Sequence, residues 1–302
     1  PFPADDPWHF PGKDEVAAYL EKYALHFDLP VRMSTRIDRL QAGPEGGFVA
    51  TIGVDTITCD NVVVATGSFG RTPFVPAFAG DLDPGIKQLH SSEYRRPDQL
   101  AAGTVLVVGG SHSGLDIAYE AAQTRDTILC GRDCGQIPVP LESRRGRMAL
   151  PVVFFMFKHV LTRRTPIGRK EFPEMRFHGG PALRIKRKDL ERRGAERVTS
   201  RVVGVKDGKP LLDDGRVVDA EAVVWCTGFQ QRFDWIDLPV FGEDGWPVEY
   251  RGVVDTAPGL FFCGLSFQFA FASMVFMGVG RDADFVASRV AERARTATAV
   301  AA

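Results

Sequence analysis

Residues Val105 to Ala118 read VLVVGGSHSGLDIA: an apolar run, two glycines, and a segment of helical spacing that opens on Gly114. A buried strand that must turn into a helix within six residues confines the chain to an α/β layout. Two copies of a second pattern frame it. TITCDNVVVATGSFG reaches Thr66-Gly67, and RVVDAEAVVWCTGFQ reaches Thr227-Gly228. Each copy joins an acidic residue, an apolar strand and a Thr-Gly step. One glycine turn between two such segments predicts two Rossmann-type dinucleotide-binding units, the second inserted into the first.

Spacing adds an expectation about the first unit. Gly228 lies 119 residues after Gly109, and the same step back from Gly67 falls about 52 residues before Pro1. If the halves are related, the first unit's own glycine turn belongs upstream of Pro1, and the opening PFPADDPWHFPG reads as a mid-protein loop. The expected domains are residues 1–98 as the first part of one dinucleotide domain, 99–228 as the inserted one, and 229–302 as the return to the first.

Composition sets the outer bounds. The 302 residues, 44% hydrophobic and 25% charged with net charge −1, suit a globular chain and give no reason to expect nucleic acid or an anionic membrane. The basic runs at Arg144-Arg145-Gly146-Arg147 and Arg184 to Lys188 read as solvated loop charge. Five scattered cysteines, odd in number and without CxxC spacing, argue against a disulfide framework. Cys130 and Cys134, four apart without companion His or Cys ligands, argue against a metal site, and buried free thiols in a reducing cytoplasm are expected. The most apolar window, Leu150 to Phe157, is far shorter than the ~20 residues of a membrane span and reads as a core helix or the wall of a substrate channel.

Along the chain, Lys13 to Phe27 carries apolar residues at helical spacing. Val31–Leu40 and Phe48–Cys59 read as strands around the turn at Gly43 to Gly47. Asn61–Ala65 reads as a strand buried on both faces, and Arg71 to Pro97 as a connection between domains. Thr104–Val108, the following helix and Thr127–Cys130 make a βαβ unit. Residues 133–185 show no clear pattern. A hairpin around Asp207-Gly208 leads to the strand Ala222–Cys226. Leu260–Gly264 is a further strand, and Arg281 to Arg295 a last helix with Val286 and Val290 inward.

The turn Gly109-Gly110-Ser111-His112-Ser113-Gly114 stands where G-x-G-x-x-G would, with Ser111 at the second glycine. Its backbone N–H groups and helix dipole suit a pyrophosphate. The next strand ends in Gly131-Arg132-Asp133. Arg132, with Arg144, Arg145 and Arg147 downstream, points to the 2′-phosphate of NADPH, whereas Asp133 is the feature that would favour NADH.

With these residues in hand the chain resembles the flavin-containing monooxygenases, in particular bacterial members similar to the plant YUCCA-type indole-pyruvate monooxygenases. The resemblance rests on Ala65-Thr66-Gly67, on Leu89 to Arg95 (LHSSEYR), on the turn at Gly109–Gly114, on Cys226-Thr227-Gly228-Phe229 and on Pro258 to Leu265 (PGLFFCGL). It implies FAD and NADPH as cofactors, a small-molecule substrate and O₂ as partners, and oxygen transfer from a C4a-hydroperoxyflavin. It leaves room for a homo-oligomer. The family's Phe-x-Gly-x-x-x-His-x-x-x-Trp signature is present only loosely: Phe78 and Gly80 lie too far before His90, Gly85 is one residue out of step, and Tyr94 takes the Trp position.

The expected cofactor residues are therefore Thr66, Gly67, Gly109 to Gly114, Arg132, Thr227 and Gly228. His90 either positions the nicotinamide or satisfies a loop. Phe267, Phe269, Phe271 and Phe276, near Met274 and Met277, either wall an apolar pocket or pack as an ordinary strand. Gly278 and Gly280 either bring the positive end of the last helix to the flavin or form a loop before it. No nucleophile–base pair is recognisable. A flavoprotein reductase without oxygen transfer and a non-catalytic nucleotide-binding module are the alternatives.

Overall fold

The computed structural model describes residues 9, 11–67, 72–137, 143–175 and 179–301, so most of the opening loop and residues 68–71 lie outside it. The chain divides into two compact units, Pro1–Asp60 with Trp235–Leu238, and Asn61–Asp234 with Pro239–Ala302.

The first unit begins with helix α1 (Lys13–His26), which buries none of its residues. Its apolar stripe forms at the expected spacing, yet Leu20, Tyr23 and Phe27 remain exposed. Strands β1 (Arg39–Ala42), β2 (Phe48–Ile52) and β3 (Asp55–Cys59) form an antiparallel meander. The expected strand over Val31–Leu40 is thus confined to its last residues. Ile236–Asp237 returns from far downstream to pair in parallel with β1, where Arg39 and Asp237 form an exposed ion pair.

The second unit opens with β4 (Val62–Val64), β5 (Thr72–Pro73) and β6 (Lys87–His90). Next come β7 (Thr104–Val108), helix α2 (His112–Ala121) and β8 (Asp126–Cys130). Residues that pattern alone left unread contain helices α3 (Arg144–Phe155) and α4 (Pro166–Met175). Helix α5 (Arg187–Arg192) leads to β9 (Glu196–Val198), the hairpin β10 (Val202–Lys206) and β11 (Lys209–Leu212), and β12 (Ala222–Trp225). After β13 (Phe229–Gln230), the strand Ile236–Asp237 is β14; β15 (Leu260–Phe262) and the long helix α6 (Phe276–Ala301) close the chain.

The centre of this unit is a five-stranded sheet in the order β6-β12-β7-β8-β9, parallel throughout. Parallel strands joined by crossovers need cover on both faces, which is why they read as continuous apolar runs. Val105, Val107, Leu129 and Val224 pack on one face with Leu115, Ala118 and Ala121 of α2. Leu106, Ile128, Val223 and Trp225 pack on the other with Leu212 and Val218. Two features differ from expectation. The segment read as a plain connection contributes β6, because its alternating Lys87–His90 is held against the fully buried β12. The window Leu150–Phe157 is not a core helix: Leu150 is buried and Phe157 packs on the Phe271 ring, but Val152, Phe155 and Met156 are exposed.

A second parallel pair joins β4 to β15. β15 is wholly buried, whereas Val63 is 44% exposed. The expectation of burial on both faces of β4 therefore fails at Val63, whose side lacks a covering layer among the described residues. Among the described residues no helix is long and apolar enough to cross a membrane.

Candidate functional site

The glycine turn occupies the switch from β7 to α2. Gly109 takes φ +120°, and its amide donates to the carbonyl of Cys130 on the neighbouring strand at 2.9 Å. A Cβ on Gly109 would run into the carbonyl of Cys226, and one on Gly114 into the carbonyl of Gly109. The strand, the turn and the helix can approach this closely only without side chains at those two positions.

Ser111 is the N-cap of α2 but makes no side-chain cap bond. Its hydroxyl instead donates to the carbonyl of Gly180 at 2.9 Å, and the ring of His112 donates from Nε2 to the carbonyl of Pro181 at 2.6 Å. The N–H groups at the helix start are left without a side-chain acceptor, in the setting that attracts phosphate. An uncapped helix start behind a cradle that a Cβ would fill fits the pyrophosphate of a nicotinamide dinucleotide. Gly179 to Pro181 lie against Ser111 and His112 and flank this opening.

Beside the turn is a cleft of about 120 Å³ lined by Gly110, Leu115, Asp133, Arg187 and Arg197, among others. It is smaller than a whole-ligand pocket and suits one polar fragment of a dinucleotide. Arg132 is not among its lining residues, although its backbone carbonyl faces Gly110. Arg187 forms an ion pair with Asp133. Arg197 is committed to the sheet, donating to the carbonyls of Leu129, Val198 and Gly131, and burial lowers its pKa from the ordinary arginine value. The run Arg184 to Lys188 carries exposed charge as expected, and its Arg187 also borders this cleft. The signal was present in its density of basic residues, but only the α5–β9 crossover shows that Arg187 turns toward the end of β8.

Next to the turn, β12 ends in Thr227-Gly228. The Thr227 hydroxyl donates to the carbonyl of Phe74, and the amide of Phe74 donates to the carbonyl of Gly228 at 2.9 Å. His90, buried at the end of β6, donates from Nε2 to the Gly228 carbonyl at 2.9 Å. Its Nδ1 accepts from the Ser92 amide at 3.2 Å. Burial lowers its pKa, with the Gly228 carbonyl and Glu93 opposing. Both ring nitrogens are therefore engaged, and His90 braces the Thr-Gly step as a neutral imidazole.

The structure thus brings together Gly109 to Gly114, Thr227, Gly228 and His90. Thr66 and Gly67 belong instead to the β4–β15 pair, where Gly67 turns at φ +77°, close to the +82° of Gly228. Gly278 lies inside α6, which begins at Phe276 rather than Arg281, and a Cβ there would strike Ala272. Gly280 has open space around it. For a flavin the described residues offer the ends of β4 and β15 and the start of α6, but no second pyrophosphate cradle. Phe269 is buried, and in place of an apolar pocket or a strand it has the guanidinium groups of Arg164, Arg251 and Arg281 over its ring.

A family model described as pyridine nucleotide-disulphide oxidoreductase matches residues 6–133. A CzcO-like oxidoreductase of Geobacillus kaustophilus is 32% identical over 283 residues, covering 93% of this chain and 78% of the relative. The chain belongs to the CzcO-like oxidoreductases. The resemblance to flavin-containing monooxygenases also holds. A probable indole-3-pyruvate monooxygenase of Arabidopsis thaliana, YUCCA7, is 26% identical over 285 residues, with 81% of this chain and 64% of that protein covered. The fold of this CzcO-like chain is that of a flavin monooxygenase from Stenotrophomonas maltophilia, solved as a mutant. That structure aligns at TM-score 0.69 and 23% identity over all of this chain and 81% of that one.

Proposed function

We propose that this CzcO-like chain works as an FAD- and NADPH-dependent monooxygenase acting on a small organic substrate and O₂. The observation that carries the proposal is the uncapped α2 start behind Gly109 and Gly114, set beside the braced Thr227-Gly228 end of β12. Such a crevice at the carboxyl ends of parallel strands is where α/β sheets bind dinucleotides. Residues 99–228 form the NADPH domain, and residues 1–98 and 229–302 belong to the flavin domain. Five free cysteines suit a reducing compartment such as the cytoplasm.

In this reading the amides of Gly110 to Gly114 bind the NADPH pyrophosphate, and Arg132 and Arg187 favour the 2′-phosphate. His90 holds Gly228, so that the Thr-Gly step presents a fixed backbone edge to the nicotinamide half. Thr66, Gly67 and Gly280 line the flavin side. The flavin, when bound, accepts hydride and activates O₂; the protein contributes binding, orientation and exclusion of water.

Protein supplied with FAD, NADPH and ¹⁸O₂ tests the reading, with candidate amines, sulfides and ketones as substrates. Oxygen label in product with matched NADPH consumption supports it. NADPH oxidation that reduces an added electron acceptor without label in product assigns a reductase. NADPH binding without turnover assigns a nucleotide-binding module.

A further inference from the structure

The second unit contains two arginine–carboxylate groupings that differ in how completely they are bonded. Arg163 donates to Glu249 Oε1 at 2.8 Å, to the Gln268 carbonyl at 3.0 Å and to the Glu249 carbonyl at 3.1 Å. The other oxygen of Glu249, whose side chain is fully buried, accepts from the Gly252 amide at 2.6 Å. That ion pair meets the demand that buried charge be paired and hydrogen-bonded.

The neighbouring grouping does not. Three guanidinium carbons lie over the ring of Phe269: Arg251 at 4.5 Å, Arg281 at 4.6 Å and Arg164 at 5.4 Å. A ring has two faces, so three cations stacked on it bring at least two together on one side, where they repel unless an anion intervenes. The carboxylate at hand is Asp282, fully buried, and its contact with Arg281 is a long 3.4 Å to Oδ1. Asp282 Oδ2, Arg281 Nη2 and Arg251 Nε are all buried without a hydrogen-bond partner. Burial and the charge of Arg164 push the Arg251 guanidinium down from its ordinary value. The Arg164 side chain, exposed and bonded through Nε to the Tyr250 hydroxyl at 3.3 Å, forms the outer edge.

Two orphan donors and one orphan acceptor specify their complement: an oxyanion whose oxygens accept from both arginines and which carries one proton to donate to Asp282. We propose that Arg164, Arg251, Arg281 and Asp282, arranged over Phe269, form a binding site for a protonated oxyanion, namely hydrogen phosphate or the monoprotonated phosphate of a monoester. Asp282 would act as the selector, since a fully ionised anion such as sulfate has no proton to offer it and is repelled. None of these residues lines the cleft beside the glycine turn, although Arg281 and Asp282 follow Gly280 near the start of α6, on the side assigned above to the flavin.

Thermal shift and calorimetric titration with inorganic phosphate and with sulfate, at constant ionic strength, test the proposal. The wild type should bind phosphate at least about tenfold more tightly than sulfate, as expected for one charge-assisted hydrogen bond. Asp282→Asn should lose that discrimination by gaining sulfate binding. Arg251→Lys and Arg281→Lys should each weaken phosphate about tenfold or more. Ser111→Asp, which places a negative charge at the glycine turn, should leave phosphate binding here intact. The proposal is overturned if the wild type binds neither anion or both equally. It is overturned too if both lysine variants bind like wild type, or if only Ser111→Asp removes binding. Should the lysine variants not fold, the wild-type discrimination and the Asp282→Asn response decide.

Discussion

At the end of β12, Gly228 turns at φ +82°, and the strand behind it is buried along its whole length between β6 and β7. At the end of β4, Gly67 turns at +77°, yet that strand pairs with β15 alone among the described residues and leaves Val63 44% exposed. Both strands carry the same short code: an apolar run, a threonine, a glycine in the left-handed region. The conformation of the step is decided within a few residues, because its glycine adopts a left-handed backbone that residues with a Cβ rarely take. Its burial is decided by what pairs on either side, which the step itself does not encode.

Paired truncations probe that difference most strongly. Val224→Ala in β12 should cost about 2–3 kcal/mol through the cavity it leaves. Val63→Ala in β4 should cost no more than about 0.5 kcal/mol, as at other exposed sites. Urea unfolding of the two variants measures both. Equal costs would mean that β4 is as well covered as β12.

The turns should respond alike. Both Gly67 and Gly228 have open space where a Cβ would go, so alanine meets only the backbone penalty of the left-handed region, about 1–2 kcal/mol in each case. A much larger loss at Gly228 would show that its bonds to Phe74 and His90 constrain it further.

A smaller effect comes from His90. Burial lowers its folded pKa below the unfolded value of ~6.5, so the unfolded chain binds the extra proton first as the pH drops. Its contribution is full above ~6.5 and is lost as pH falls from there through the folded value. His90→Gln retains a donor for Gly228 and should flatten that part of the curve, read as urea midpoints between about pH 8 and pH 5. An unchanged slope would assign the titration to another group.

Much of the nucleotide turn was legible in the sequence because its chemistry is local. Gly109, Gly114 and the apolar run before them state that a strand meets a helix at close range. The ends of β7 and β8 fell within a residue of where the pattern put them. Less legible was whatever depends on a distant partner. Lys87–His90 has no strong apolar pattern and becomes a strand because β12 is there to receive it. Phe269 sits among aromatic residues, and nothing nearby in sequence announces that arginines from positions 164, 251 and 281 converge on it. The apolar window ending at Phe157 is less legible for another reason: hydrophobicity does not state burial, and Phe155, whose ring lies against that of His159, stays 59% exposed while Phe157 packs on Phe271.

The most direct measurement is a titration of the purified protein with NADPH, followed by nicotinamide fluorescence and compared with Ser111→Asp. A carboxylate at the uncapped start of α2 faces the position assigned to the pyrophosphate, so affinity should fall roughly tenfold or more while the unfolding midpoint stays near that of the wild type. Equal affinity in the two proteins would place the dinucleotide elsewhere and contradict the assignment of this turn.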